Sequence, residues 1–109
     1  MNAETLREYV IQKENVTEGF PFGEDTLVFK VKGKIFLLMS LSSAPLQFNV
    51  KCDPEEAVML REQYPGTVLP GYHMNKKHWN TVILNGTLSI KQLKKMLDDS
   101  YKLAGKISS

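Results

Sequence analysis

The chain has 109 residues, 42% of them hydrophobic and 9% aromatic, with a formal charge of +2, the size and make-up of a single globular domain over residues 1–109. One cysteine, Cys52, excludes an internal disulfide and favours a reducing compartment, so the expected location is cytoplasmic. No apolar run approaches the ~18 residues of a membrane span, and Met1 to Tyr9 is acidic and amphipathic rather than signal-like, so neither membrane insertion nor export is expected.

In chain order, Leu6, Tyr9, Val10 and Lys13 have helical spacing, with Asn2 as N-cap and Glu4 in the first turn. Gly19-Phe20-Pro21-Phe22-Gly23 then breaks any regular pattern. From Thr26, Leu27, Phe29 and Val31 alternate with Val28, Lys30 and Lys32, the period of a half-buried strand. A turn at Gly33 leads into Ile35 to Leu41, apolar on both faces and therefore a central strand. After Ser42-Ser43-Ala44-Pro45, Leu46, Phe48 and Val50 alternate with Gln47, Asn49 and Lys51, predicting a third antiparallel strand with one polar side.

Asp53-Pro54-Glu55-Glu56 reads as a helix start, with Asp53 as N-cap and Glu56 placed for a capping-box exchange. This helix should run to about Tyr64, burying Ala57, Leu60 and Tyr64, and end at Pro65-Gly66. Trp79 to Leu84 reads as a strand closed by Asn85-Gly86. Ser89 and Gln92 form a capping box ahead of the stripe Ile90, Leu93, Leu97, Tyr101 and Ala104. Runs of antiparallel strands with helices gathered on one face make a two-layer α+β domain and leave the other sheet face open to solvent or a partner.

The net charge is too small to imply a polyanion ligand, yet the charges are unevenly spread. Residues 1–29 hold six acids against two bases, and residues 53–64 hold four against one. Residues 26–52 and 63–97 hold no Asp or Glu; the first carries Lys30, Lys32, Lys34 and Lys51, the second Lys76, Lys77, Lys91, Lys94 and Lys95. If these stretches meet in space, one face is positive.

The densest chemistry is Pro70-Gly71-Tyr72-His73-Met74-Asn75-Lys76-Lys77-His78-Trp79. Its lysines and histidines suit phosphate contacts, while Tyr72 and Trp79 suit either a sugar or base face or a structural anchor. Histidines five apart on a loop match no common zinc spacing, so neither metal nor cofactor is expected. Cys52, between Lys51 and a helix start, has a setting that favours thiolate, but a buried, inert thiol is the better reading. No phosphate loop, nucleophile elbow or zinc-protease motif occurs, and no catalytic residue is assigned. Asp98 and Asp99 diverge by about 100° on their helix and cannot share a proton.

Pro21-Phe22-Gly23-Glu24-Asp25-Thr26, Lys51-Cys52-Asp53-Pro54-Glu55-Glu56-Ala57, Leu60-Arg61, the block from Pro70 to Asn80, and Asp99-Ser100-Tyr101 resemble the MmcQ/YjbR family of small bacterial proteins. The match spans nearly the whole chain. The resemblance implies an α-β3-α-β2-α fold related to CyaY and secretion-chaperone folds, and DNA binding through a double wing of hairpins. The candidate nucleic-acid contacts are Lys30, Lys32, Lys34, Lys51, Tyr72, His73, Asn75, Lys76, Lys77, His78 and Trp79. The expectation is thus a non-enzymatic DNA-binding protein, monomeric or a weak homodimer. The alternative is a protein-interaction or chaperone-like adaptor that uses the open sheet face or Phe20-Pro21-Phe22.

Overall fold

Each helix begins where a polar cap satisfies its first free N–H groups. In the computed structural model, which describes residues 2–71 and 75–106, Asn2 caps α1 (Ala3–Ile11) by accepting the Thr5 N–H, and the Thr5 hydroxyl accepts the Asn2 N–H. Asp53 caps α2 (Pro54–Gln63) through the Glu55 N–H, with Pro54 in the first turn. Ser89 caps α3 (Ile90–Gly105), and Gln92 completes the expected box. Glu56, expected to complete a similar exchange at Asp53, instead approaches Lys95 of α3 at 3.6 Å.

The strands are β1 (Val16–Gly19), β2 (Thr26–Val31), β3 (Lys34–Ser40), β4 (Gln47–Lys51), β5 (Val68–Pro70) and β6 (Trp79–Ile83). They form one antiparallel sheet in the order β1-β2-β3-β4-β6-β5. The α+β class and central β3 agree with the sequence reading, but four strands rather than three precede α2. The additional one is β1, an edge strand too short to display an alternating pattern. It exists because Asn15, at a left-handed φ of 63° that Asn tolerates, turns the chain back so that Val16 pairs with Val31.

Lys32 and Gly33, with φ of 52° and 81°, are the two central residues of the β2–β3 turn, as a primed hairpin turn requires. Lys32 therefore lies in the turn and not on the strand where alternation put it. The register slips between Phe29↔Leu37 and Lys30↔Ile35, leaving Phe36 as an extra residue, so that Phe36 and Leu37 both join the core. This bulge separates the Phe36 carbonyl from the Lys51 N–H; the buried Ser100 hydroxyl accepts from Lys51 N at 2.8 Å and donates to Phe36 O at 2.5 Å.

All three helices cover one face. Leu6 and Val10 of α1 and Leu93, Leu97 and Ala104 of α3 pack on Leu27, Phe29, Val31, Met39, Phe48 and Val82. α2 packs less completely: Ala57 is buried, whereas Leu60 and Tyr64, expected inside, are only half-buried. The α3 stripe starts at Leu93, since Ile90 is exposed. The opposite face is not uniformly open, because Val28, Leu38 and Trp79 form a second buried cluster there, with Ile35 against it.

Candidate nucleic-acid interface

Strand register decides which side chains share the outward face. Thr17 pairs with Lys30, Lys30 with Ile35, Leu38 with Asn49, Asn49 with Thr81 and Lys51 with Trp79. Lys30 and Lys51 thus stand on the outward face with Gln47, Asn49 and Thr81, as the alternation of β2 and β4 implied. Glu18, opposite Phe29, faces the helix side and ion-pairs with Arg7 of α1 at 2.8 Å. In consequence, the outward positions of all six strands hold no acidic side chain. Thr81 donates to Asn49 Oδ1, so the polar centre of this face is internally hydrogen-bonded.

The turn at Lys32-Gly33 and the loop between β5 and β6 emerge from the same end of the sheet, because Val31 pairs with Lys34 and Pro70 with Asn80 there, beside Lys51. Lys32 and Lys34 are exposed at the first tip, Asn75, Lys76 and Lys77 at the second. Lys34, opposite the inward Val31, leans to the helix side while Lys30 faces outward. With strands ~4.8 Å apart and three spacings between the centres of the two hairpins, the tips are roughly 14 Å apart.

The second tip is held from beneath. Asn75 Oδ1 accepts the Lys77 N–H at 2.9 Å, and Asn75 O accepts from His78 and Trp79. Arg61 of α2 donates to Asn80 Oδ1 at 2.7 Å and to Lys76 O at 2.5 Å. The His78 carbonyl accepts the Cys52 N–H at 2.7 Å. A side chain at Gly71 is sterically barred, since a Cβ there would stand 2.7 Å from Trp79 Cβ. Trp79 is only 9% exposed, which makes it an anchor of the loop and leaves little ring for stacking. Glu55 lies beside Lys76 and Lys77 and offsets part of their charge. Tyr72 and His73 lie outside the described residues.

The remaining basic residues do not join this end. Lys91, Lys94 and Lys95 are on α3, across the sheet; Lys94 rests over the Tyr9 ring and Lys95 pairs with Asp99 at 2.7 Å. Cys52 is buried, as expected from the sequence, and its setting does not favour thiolate: burial and the carboxylates of Glu56, Asp99 and Asp53 push the thiol up to about 11. Asp98 and Asp99 diverge as expected, Asp98 toward Lys13 and Tyr9 of the α1 region and Asp99 toward Lys95. Sequence reading gave no role to Arg61 or Ser100. Each acts on backbone groups far along the chain, for which no local spacing exists.

The YjbR family model matches residues 11–103. The chain is 39% identical over 101 residues to the uncharacterized protein YbdF of Escherichia coli O157:H7, covering 92% of this chain and 81% of that one. It is 30% identical over 104 residues to the uncharacterized protein YjbR of Escherichia coli K12, covering 95% and 87%. Among solved structures it is similar to the Deinococcus radiodurans protein DR2400, a DUF419 domain, with TM-score 0.92, 39% identity and coverage of 96% and 79%. A Pseudomonas syringae crystal structure aligns with TM-score 0.81 at 30% identity, covering 95% and 99%.

Proposed function

This chain belongs to the YjbR family, and from the acid-free outward positions of its strands we propose that it is a non-enzymatic nucleic-acid-binding module whose ligand is duplex DNA. The observation that carries this reading is the gathering of six lysines, Lys30, Lys32, Lys34, Lys51, Lys76 and Lys77, on or beside two hairpin tips at one end of a sheet whose outward positions lack acids. The roughly 14 Å between the tips is close to the ~12 Å width of the B-DNA major groove, so the two tips suit the phosphate rows on its two sides. The near-complete burial of Trp79 favours this backbone mode over base stacking on a single strand. Only Arg7 and Arg61 represent the residue type most used to read guanine. Arg7 pairs with Glu18 and Arg61 holds a loop, so binding should be indifferent to sequence.

If four to six lysines neutralise phosphates, log K falls with log salt with a slope of roughly −4 to −5. Fluorescence titration of a labelled duplex and of its single strand at two salt concentrations measures this. Absence of saturable duplex binding at low salt refutes the reading.

A second reading has its own observation. Phe20 and Phe22, 50% and 66% exposed, flank Pro21 in the β1–β2 connection, and contiguous exposed aromatics mark protein-contact surfaces. An adaptor working through them would keep its partner after nuclease and high salt, and lose it when Phe20 and Phe22 are both replaced by Ser. A partner that survives that replacement rules this surface out.

A further inference from the structure

A cavity of about 200 Å³ opens on the helix side between α2, α3 and the β4–β6 half of the sheet, with Lys51 among the residues that line it. It exists because the two antiparallel helices are braced at two points and do not close between them. At one end Gln92 donates to the Tyr64 hydroxyl at 2.7 Å; at the other Lys95 spans Glu56 at 3.6 Å and Asp99 at 2.7 Å. Glu56, Leu60 and Tyr64 lie four residues apart in sequence and so share one face of α2, while Gln92, Met96 and Asp99 share the facing side of α3. The floor is Val50, Val68 and Val82, with Cys52 at the acidic end. The half-burial of Leu60, Tyr64 and Met96 has the same origin: their apolar atoms face this space.

An engineered apolar cavity of about 150 Å³ accepts benzene, so this one has room for one aromatic ring and a short chain. Its apolar length suits the ring, and its charge settles the rest. Lys51 lines the cavity from an outward strand position, so at the acidic end two carboxylates face the Lys95 ammonium, and Lys95 sits closer to Asp99, leaving Glu56 with the weaker partner. An anionic ligand would meet an excess of like charge there; a cationic one would complete the pairing. We propose that the α2–α3 cavity is a binding site for a small aromatic amine, its ring between Leu60, Met96 and Val82 and its ammonium on Glu56.

The probe is 2-phenylethylamine, titrated into the full chain and followed by ¹H–¹⁵N correlation spectra. Saturable shifts confined to amides around Cys52, Leu60, Val82 and Met96 are expected, with phenylacetate, the same ring with the opposite charge, at least tenfold weaker. Glu56→Gln, a change at the cavity rim, should weaken the amine about tenfold without changing phenylacetate. Leu60→Trp should fill the space and abolish binding of both. Shifts scattered over the surface, no saturation, equal or tighter binding of phenylacetate, or an unchanged affinity in a folded Glu56→Gln protein would each overturn the proposal.

Discussion

Ser100 illustrates how one hydroxyl can be worth more than its size. It answers a part-buried N–H and a buried carbonyl that the β3 bulge has separated, and a buried group left without a partner costs about 1–3 kcal/mol. Ser100→Ala is therefore expected to destabilise by about 2–4 kcal/mol, read as a lower denaturant midpoint at unchanged slope; a loss below about 0.5 kcal/mol would show that the strands re-pair without it. Cys52 makes a prediction of opposite character. Its thiol, raised to about 11 by burial and by Glu56, Asp99 and Asp53, should alkylate in the native protein at neutral pH far more slowly than in the unfolded chain. The sign of the linked stability follows. Between the unfolded value near 8.5 and the folded value of about 11, the unfolded chain releases the proton first, so this contribution is lost as pH rises through that window. A Cys52→Ala protein should lack that component of the alkaline decline.

Among the elements, α1 and α3 are clasped through Asp98, which accepts from Tyr9 at 2.8 Å and pairs with Lys13 at 2.6 Å, while Lys13 also lies over the Tyr9 and Tyr101 rings. Burial pushes the Asp98 carboxyl up, but Lys13 and Tyr9 together outweigh it, and the group titrates below the usual carboxylate range. Stability from this clasp is present above the unfolded value and lost as pH falls through the folded one. Asp98→Asn should cost about 1 kcal/mol near pH 7, the size of a part-exposed charged hydrogen bond, and less as the wild-type carboxyl is titrated in acid. A penalty independent of pH would place the cause in packing. The β5–β6 loop gives a contrasting pair. Lys76→Ala with Lys77→Ala removes two exposed side chains and should change stability by no more than about 0.5 kcal/mol while weakening duplex binding. Trp79→Ala empties the outward cluster of Val28 and Leu38 and should cost about 3–5 kcal/mol. A stable Trp79→Ala protein that has lost binding would make the ring a ligand contact.

At the scale of the molecule, the body measures 33 × 32 × 26 Å, close to the ~34 Å of one DNA turn. One chain can therefore cover about one turn. Shortening a duplex from 20 to 10 base pairs should leave the intrinsic affinity of a single chain nearly constant, whereas 6 base pairs should bind much more weakly. Equal affinity for all three lengths would mean that only one tip engages. The two layers differ in content: the helix side holds the core and the α2–α3 cavity, while the outward strand positions hold Lys30 and Lys51.

The helix caps at Asn2, Asp53 and Ser89, the turn at Gly33 and the alternation of β2 and β4 were readable because each rests on interactions within about four residues or on a period of two. The same locality made the polar side of β4 and the outward aim of Lys30 legible. Three features escaped it. β1 owes its existence to Val31, fifteen residues away in the chain, and four residues cannot display an amphipathic period. The bulge at Phe36 is a matter of register between two strands that each look regular alone. The α2–α3 cavity depends on Glu56 meeting Lys95 and Tyr64 meeting Gln92, contacts that arise only after both helices have settled on the sheet. Glu56 could satisfy its carboxylate either at the cap or across the cavity; the nearby Lys95 ammonium, supplied by the packing of α3, directs it to the second.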